Sequence, residues 1–345
     1  MSPLSSQQFT NNRVVITEGA EHVPLNKEQF KTVTEVLTLP ELQKDEIFVQ
    51  NLIFSLDPYL RYDYQEGSKE SSVFGFGISR VIASNNAKVP TGALVISPSN
   101  WADYSVIPKK SLSEVAVLDD VIDPKVPLSA YNGVLGVPGF TVWDSLNKIG
   151  DLKKGETIYI SSAAGTLGQL AGQLAKRKGL RVIGSAGTDE KVAFLKNELG
   201  FDAAFNYKTQ DKREALTEAV GEAGLDIYYD LVGDDTTEVA LDLLNPQGRV
   251  VAVGILAYHQ NEAPKPITNV YNVLFKRLRY EGYTLFDRFE HFAQFWREMT
   301  PLVASGDIKY TQTVVKAGAD KIAETYLNVL NGTYKGKVNV QLAEI

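Results

Sequence analysis

The sequence of 345 residues predicts an α/β fold whose centre is a doubly wound parallel sheet. Two observations carry this prediction. Strand-like and helix-like segments alternate from residue 157 to residue 254, and a glycine-rich turn follows the first of these strands. Such alternation requires right-handed crossovers between parallel strands. The length also exceeds the size at which a single core keeps growing, so we expect two domains.

Residues 1 to 127 contain short apolar runs, at 47–53, 77–83 and 93–97, separated by proline and glycine, and they predict a mostly β domain. In the alternating part, β-branched runs predict strands and a 3.6-residue apolar period predicts helices. A last helix and a final strand follow near the C-terminus, and that strand could close either domain. The predicted strands are 157–161, 181–185, 203–206, 226–232 and 249–254, with 278–285 as a candidate sixth, and the helices are 166–178, 189–199, 211–220, 235–243, 289–303 and 321–330.

Ala163, Gly165 and Gly168 form an Ala-x-Gly-x-x-Gly turn between the first of these strands and its helix. A glycine at 165 lets the backbone approach a pyrophosphate, and a glycine at 168 lets the helix pack close to the strand. The N–H groups at the helix start attract the anion. Because a strand precedes the turn and a helix and a second strand follow it, the sequence predicts a dinucleotide site. The alternative is a purely structural glycine turn.

The second strand of the alternating part indicates which dinucleotide binds. An NAD site carries Asp or Glu about 20 residues after the first glycine, whereas this sequence has Gly184 and Ser185 there. Lys191 follows, and Tyr207 comes at the end of the third strand. A hydroxyl, a cation and a phenol suit a 2′-phosphate, so we predict NADPH as the cofactor. The alternative for Lys191 is a solvated position on the helix that begins near 188.

Composition excludes several classes of function. The net charge of −7 and the isoelectric point of about 5.2 argue against nucleic-acid partners, which favour basic surfaces, and against adsorption to anionic membranes. The chain has no cysteine, which removes disulfides, thiol nucleophiles and thiolate metal sites. No apolar run has the roughly 18 residues of a membrane span, and no signal peptide is evident. We therefore expect a cytoplasmic protein.

Segments spread over nearly the whole chain match one family. They are residues 57–61 (DPYLR), 75–81 (GFGISRV), 101–105 (WADYS), 137–141 (VPGFT), 184–191 (GSAGTDEK), 200–208 (GFDAAFNYK), 229–233 (YDLVG) and 336–338 (GKV). The chain looks like a medium-chain dehydrogenase/reductase. Within that superfamily it resembles the zinc-independent, NADPH-dependent double-bond reductases, the group of leukotriene B4 dehydrogenase/prostaglandin reductases and plant alkenal reductases.

The resemblance implies a domain arrangement and a cofactor site. Residues 1–127 and 311–345 would form a partly open, GroES-like β-barrel catalytic domain. Residues 128–310 would form a Rossmann domain inserted into it, with the active site in the cleft between them, and a homodimer is usual. Lys191 and Tyr207 match the family positions that hold the 2′-phosphate. The other residues that we expect at NADPH are Thr141, Gly165, Thr166, Leu167, Gly168, Ser185, Gly254 and Ile255.

Zinc-dependent relatives need Cys or His ligands, commonly with a Gly-His-Glu triplet. This chain has His22, His259 and His291, none followed by Glu, so we predict no metal site. Without a metal, reduction of a carbonyl to an alcohol lacks a Lewis acid. A C=C bond conjugated to a carbonyl is less demanding, because hydride passes to the β-carbon and a hydroxyl stabilises the enolate oxygen. We therefore predict a metal-free, NADPH-dependent reductase of small apolar α,β-unsaturated aldehydes and ketones.

Two tyrosines are the candidates for catalysis. Tyr258 follows the fifth strand near its carboxyl end, where ligands sit in such sheets, and the family has a tyrosine in this loop that meets the substrate carbonyl. That tyrosine lies five residues after the glycine, whereas Tyr258 lies four after Gly254. His259 holds the fifth place and is one alternative. The other is that Tyr258 is a solvated loop residue. Tyr59, in the DPYLR segment, is expected to line the cleft from the other domain, with a structural role as the alternative.

Two rival functions stay open at this point. A quinone oxidoreductase of the same fold would use the same cofactor cleft. A non-catalytic NADPH-binding protein would keep the cofactor without turnover, and the altered Tyr258 loop and two further departures from the family keep this alternative open. Leu231 and Tyr334 stand where the family has Asn residues that contact the cofactor in relatives. We expect these two changes either to weaken NADPH binding modestly or to shift the cofactor contacts to backbone groups.

Overall fold

A computed structural model describes residues 7–17, 25–60, 71–259, 266–286, 288–334 and 336–344, with the backbone alone at 258 and 259. Contacts within the chain divide it into two compact units. The first unit takes its described residues from 1–137, 288–304 and 311–345, and the second takes them from 138–287 and 305–310. Each unit has its own sheets and its own hydrophobic core.

The secondary structure runs through both units in chain order. The strands are β1 (Gln8–Ile16), β2 (Phe30–Thr38), β3 (Ile47–Leu56), β4 (Phe74–Ser84), β5 (Leu94–Asn100), β6 (Tyr104–Ile107), β7 (Ala116–Val117), β8 (Thr157–Ile160), β9 (Arg181–Ala186), β10 (Ala203–Asn206), β11 (Leu225–Asp230), β12 (Leu244–Ala252), β13 (Arg279–Gly282), β14 (Gln312–Lys316) and β15 (Lys337–Gln341). The helices are α1 (Val137–Ser145), α2 (Thr166–Arg177), α3 (Asp189–Asn197), α4 (Lys212–Val220), α5 (Thr236–Leu243), α6 (Leu256–His259), α7 (Tyr271–Phe275), α8 (Phe292–Ala304) and α9 (Ile322–Leu330). Within the described ranges, no helix has the length and apolar character needed to cross a membrane.

The second unit is built on an open sheet of six parallel strands in the order β10-β9-β8-β11-β12-β13. All four residues of β8 are buried, as expected for a central strand covered on both faces. The rings of Tyr159 and Tyr228 stack in the core with 5.2 Å between centroids. Strand order reverses between β8 and β11, and ligands of such sheets bind beyond the carboxyl ends of the strands at this switch point. The predicted doubly wound parallel sheet is confirmed.

The first unit contains a seven-stranded sheet and the two-stranded β1–β2 sheet. The larger sheet has the order β14-β15-β3-β4-β5-β7, with β6 also paired to β3. Every pair is antiparallel except β14 with β15. The predicted separate β domain is therefore confirmed. Strand β15 pairs with β3, so the C-terminal strand completes the first unit, a choice that its sequence pattern left open.

Helix α8 packs in the first unit, although its sequence lies inside the predicted Rossmann segment. Trp296 Nε1 donates a hydrogen bond to the carbonyl oxygen of Leu135 at 2.8 Å. The ring of Phe289 stacks on Phe76 with 5.8 Å between centroids. The aromatic residues at the start of α8 are therefore core residues of this unit. The functional boundaries at 127 and 310 stay predictions.

Candidate functional site

The glycine-rich turn of the second unit lies between β8 and α2. Gly165 is the N-cap residue of α2, it is exposed, and no side chain caps the helix there. The backbone N–H of Ala163 donates to the carbonyl oxygen of Ser185 at 2.9 Å, which joins the turn to the end of β9. The first N–H groups of α2 therefore stand at the carboxyl ends of the strands, beside the switch point. This is the arrangement that binds the pyrophosphate of a dinucleotide.

Gly168 explains why the turn needs glycine. A Cβ at this position would lie 2.5 Å from the Cα of Ala163 and 2.7 Å from the carbonyl oxygen of Ser162. A Cβ at Gly165 would meet no atom closer than the Ser162 carbonyl oxygen, at 3.2 Å. Gly168 therefore serves close packing of α2 on the turn, whereas Gly165 leaves space over the helix N-terminus. The residues present fit a bound dinucleotide phosphate.

The three residues predicted at the 2′-phosphate differ in exposure. The Ser185 hydroxyl is buried, and its Oγ lies 2.9 Å from the hydroxyl of Tyr159. Lys191 is exposed in the first turn of α3, where its backbone N–H donates to Thr188 Oγ1 at 3.3 Å. Tyr207 is 40% exposed just after β10. The structure therefore presents Lys191 and Tyr207 at the surface beyond β9 and β10, and directs the Ser185 hydroxyl into the core.

Lys212 is a further cation beside Tyr207. Its Nζ lies 5.9 Å from the centroid of the Tyr207 ring. The same Nζ donates at 2.5 Å to carboxylate oxygens of Asp234 and of Asp235. Burial acts to lower the pKa of Lys212, but these two carboxylates raise it. Two carboxylates therefore already balance the charge of Lys212, and Lys191 stays the predicted cation at the 2′-phosphate.

The other predicted cofactor residues of this unit lie on three elements. Gly254, just after β12, donates its backbone N–H to the carbonyl oxygen of Asp230 at 3.1 Å. A Cβ at Gly254 would lie 2.8 Å from the carbonyl oxygen of Leu231. Ile255 is 37% exposed, and Thr141 is buried in α1. Thr166 and Leu167 open α2, both half-buried.

Asp230 is the residue of the site that sequence reasoning missed. It ends β11, only 1% exposed, and its carboxylate joins the turns after β8 and β11. Burial raises the pKa of Asp230, although hydrogen bonds to the carboxylate oppose the shift. The sequence signals are an acid at the end of an apolar strand and its place in the matching segment 229–233. Its donors are the Tyr228 hydroxyl at 2.8 Å, the Val232 N–H at 2.9 Å, the Gly233 N–H at 3.0 Å, Thr237 Oγ1 at 3.1 Å and Ser161 Oγ at 3.3 Å.

The catalytic candidates lie on two short segments. Tyr59 belongs to the 3₁₀ turn Pro58–Leu60 of the first unit, and it packs half-buried against the core. The Tyr326 hydroxyl donates to the carbonyl oxygen of Pro58 at 3.3 Å and supports this turn. Tyr258 and His259 form the end of α6, and their side chains lie outside the described part of the chain. The choice between these two residues therefore stays open.

Metal ligands are sparse in the part of the chain that the structure describes. There, no three side chains of His, Cys, Asp or Glu are grouped so that they could hold a metal ion. The prediction of a metal-free site stays a prediction.

The chain is similar in sequence to known oxidoreductases and in fold to a solved structure with bound NADPH. Residues 166–304 match the family described as zinc-binding dehydrogenase, and residues 17–115 match the N-terminal domain of oxidoreductase. The chain is 32% identical to the 2-alkenal reductase (NADP(+)-dependent) of Nicotiana tabacum, over 98% of this chain and 99% of the relative. It is 34% identical to prostaglandin reductase 1 of Bos taurus, over 92% and 95%. The crystal structure of CurA in complex with NADPH, from Vibrio vulnificus, is 27% identical and has a TM-score of 0.80, over 97% of this chain and all (100%) of that one.

The parallel sheet with its glycine-rich turn, together with the separate β domain, defines a medium-chain dehydrogenase/reductase with Rossmann and GroES-like domains. Within that class, the chain belongs to the alkenal and enone reductase family. The predicted family, and with it an NADP-dependent oxidoreductase, is thereby confirmed. The assignments of individual site residues stay predictions.

Proposed function

We propose that this protein uses NADPH to reduce the C=C bond of α,β-unsaturated aldehydes and ketones, with hydride transfer to the β-carbon. The observation that carries the proposal is the exposed N-terminus of α2 above the switch point of the sheet, with Gly165 as its N-cap. The names of the tobacco and bovine relatives support the reaction class.

The cofactor half of the proposal rests on the second unit. The N–H groups of Thr166, Leu167 and Gly168 bind the pyrophosphate, because the helix dipole and the free space over Gly165 favour an anion there. Lys191 and Tyr207 bind the 2′-phosphate. Ser185 contributes through its backbone, since its hydroxyl is bonded to Tyr159. The remaining contacts with NADPH come from Thr141, Gly254 and Ile255.

Bound NADPH supplies the hydride. The chain holds the substrate carbonyl so that its oxygen accepts a hydrogen bond as negative charge develops there, and Tyr258 is our candidate donor, with His259 as the alternative. Tyr59 lines the substrate site. A proton from tyrosine or water reaches the α-carbon, so the products are the saturated carbonyl compound and NADP⁺. No zinc takes part, because the chain lacks cysteine and has three scattered histidines.

The test is NADPH oxidation with a short enal, an aryl enone and a simple quinone, followed by product identification. A saturated aldehyde or ketone supports the proposal, and Tyr258→Phe should then lower kcat more than His259→Phe. An allylic alcohol would indicate carbonyl reduction instead. Hydroquinone alone would indicate a quinone oxidoreductase. NADPH binding without turnover on any of the three would leave the non-catalytic function.

We also propose a homodimer, formed through one edge of the second unit. Strand β13 is the edge strand of the parallel sheet, and helix α7 comes shortly before it in the chain, where the Leu278 N–H donates to the carbonyl oxygen of Val273 at 2.9 Å. The side chains of Tyr271, Leu274 and Phe275 on α7 are 56%, 75% and 74% exposed, and Tyr280 on β13 is 43% exposed. Exposed aromatic and aliphatic side chains beside an open strand edge are typical of an interface.

The order of charged residues on β13 is compatible with a two-fold axis that relates the two copies of the chain. Arg279 and Glu281 flank Tyr280. An antiparallel pairing of two β13 strands centred on Tyr280 would place each Arg279 opposite Glu281 of the second copy, which stabilises such a pair. Sedimentation should show a dimer that Leu274→Glu converts to monomer. Val36→Glu is the matched control, because Val36 is 64% exposed on the first unit. A monomeric wild type would refute the proposal.

The proposed location is the cytoplasm, where a chain without cysteine suits the reducing conditions. Cell fractionation tests this location, and recovery in another fraction would refute it.

A further inference from the structure

Asn206 is a buried side chain between two segments of the second unit. It ends β10 and is 5% exposed. Its Nδ2 donates to Asp189 Oδ1 at 2.8 Å, and its Oδ1 accepts from the backbone N–H of Lys208 at 3.1 Å. Its own backbone N–H donates to Gln210 Oε1 at 3.0 Å. The side-chain amide of Asn206 therefore donates to the segment that contains Asp189 and accepts from the segment that contains Lys208.

These two segments carry the two exposed residues of the predicted 2′-phosphate site. Asp189 is the first residue of α3, two positions before Lys191. Lys208 directly follows Tyr207, so the bond to Oδ1 closes the turn that presents the phenol. Strands β10 and β9 end side by side, because their last residues, Asn206 and Ala186, pair with each other, so the two segments start from adjacent points. The Asn206 side chain then links the segments beyond the point where the strand ladder stops.

The hydrogen bond from Asn206 also restrains the negatively charged carboxylate of Asp189. Asp189 and Glu190 precede Lys191 in the first turn of α3, and carboxylates there oppose a phosphate dianion. The Asn206 amide holds one oxygen of Asp189 on the β10 side of the helix start. A carboxylate fixed by a hydrogen bond has less freedom to approach the phosphate position than one that rotates.

We propose that Asn206 is a positioning residue that sets the preference for NADPH over NADH. The inference rests on the proposed cofactor site. Asn206 does not touch the 2′-phosphate; it fixes the distance between Lys191 and Tyr207, which do. Loss of the amide donor therefore weakens the binding of NADPH. It leaves the binding of NADH nearly unaffected, because NADH has no 2′-phosphate.

The test compares dissociation constants for NADPH and NADH, measured by cofactor fluorescence with the full-length protein. Asn206→Asp keeps the acceptor for the Lys208 N–H but faces Asp189 with a second carboxylate. We expect its Kd for NADPH to rise about tenfold, which corresponds to about 1.4 kcal/mol, and its Kd for NADH to change less than about twofold. The double variant Asn206→Asp/Asp189→Asn exchanges donor and acceptor at the same net charge, so it should restore the preference for NADPH.

Asn245→Asp is the matched control. Asn245 Nδ2 donates to Asp226 Oδ1 at 2.9 Å, an equivalent Asn–Asp bond at the opposite end of the sheet. This variant introduces the same charge repulsion and should leave the ratio of the two constants unchanged. An equal rise of both constants in Asn206→Asp, or no rise, would overturn the inference, as would a double variant that folds but does not recover. If the wild type prefers NADPH yet reduces no enone, the proposed reaction fails and the role of Asn206 stands.

Discussion

The ammonium group of Lys337 lies 2.7 Å from Oδ1 of Asp57, and the two side chains are 3% and 12% exposed. Lys337 begins β15, and Asp57 follows β3, the strand that pairs with it. The ammonium group also donates to the carbonyl oxygen of Leu56 at 3.0 Å, and the Ser55 hydroxyl donates to the other oxygen of Asp57. Burial lowers the pKa of Lys337, and Asp57 opposes this shift. The ion pair therefore holds the last strand of the chain beside the turn that carries Tyr59.

Removing one member of this pair should be far more damaging than removing both charges. Lys337→Met leaves the carboxylate of Asp57 buried without its cation, and we expect a loss of about 3–5 kcal/mol in the free energy of unfolding. Lys337→Met/Asp57→Asn should recover a large part of that loss, because no buried charge remains. Urea denaturation of the three proteins measures both values. A double variant no more stable than the single one would contradict the expectation.

The glycine-rich turn predicts a steric effect at Gly168. A Cβ would meet the Ala163 Cα at 2.5 Å, so Gly168→Ala must move α2 away from the turn. We expect a loss of about 1–3 kcal/mol in stability together with weaker NADPH binding, since the N–H groups of α2 shift. Gly282→Ala is the control, because a Cβ at Gly282 meets no atom within 4 Å. Equal effects of the two substitutions in urea denaturation and in NADPH titration would refute this explanation.

Asp230 predicts a pH dependence of stability. Burial raises its pKa above the ordinary 3.8, so the folded chain holds this proton more tightly than the unfolded chain. Stability from this group is therefore greatest below the unfolded pKa and is lost as the pH rises through the folded pKa. Asp230→Asn has no proton to lose, so wild type should lose stability relative to the variant as pH rises through that window.

Urea denaturation at a series of pH values tests this expectation, and Asp242 provides the comparison of opposite sign. Burial acts to raise the pKa of Asp242, but hydrogen bonds from Asn269, Arg213 and Asn272 lower it overall. Its contribution is therefore lost as pH falls, and the difference between wild type and Asp242→Asn should run in the other direction. Parallel profiles for wild type and Asp230→Asn would show that Asp230 does not titrate as expected.

Lys191 predicts a change in cofactor preference. Lys191→Ala removes a cation from the proposed 2′-phosphate site, so the KM for NADPH should rise about tenfold or more, because hydrogen bonds to charged groups contribute about 1.5–3 kcal/mol. The KM for NADH should change little. Lys196→Ala, an exposed lysine in the last turn of the same helix, is the control. Equal changes for both cofactors would remove the assignment of Lys191 to the phosphate.

Much of the second unit could be predicted from local sequence. The strand 203–206 has the predicted limits, and α2 begins at the predicted residue. The limits of other strands differ from the prediction, because the end of a strand depends on where its neighbouring strand stops. Strand β12 begins five residues earlier than predicted, and the sixth strand is shorter than 278–285. The β1–β2 sheet and helix α1 had no prediction. Periodicity shows which residues face a core, and it does not show where the neighbouring strand stops.

The sequence by itself determined the βα alternation, the glycine-rich turn and the family, because turn chemistry and apolar periods are properties of adjacent residues. Only the tertiary structure decided which polar groups meet. Asn206 bonds to Asp189 17 positions away, and Lys337 bonds to Asp57 280 positions away. The Ser185 Oγ lies 2.9 Å from the hydroxyl of Tyr159, 26 positions away. A buried donor or acceptor takes the partner that strand order and register bring within about 3 Å, and no local pattern contains that distance.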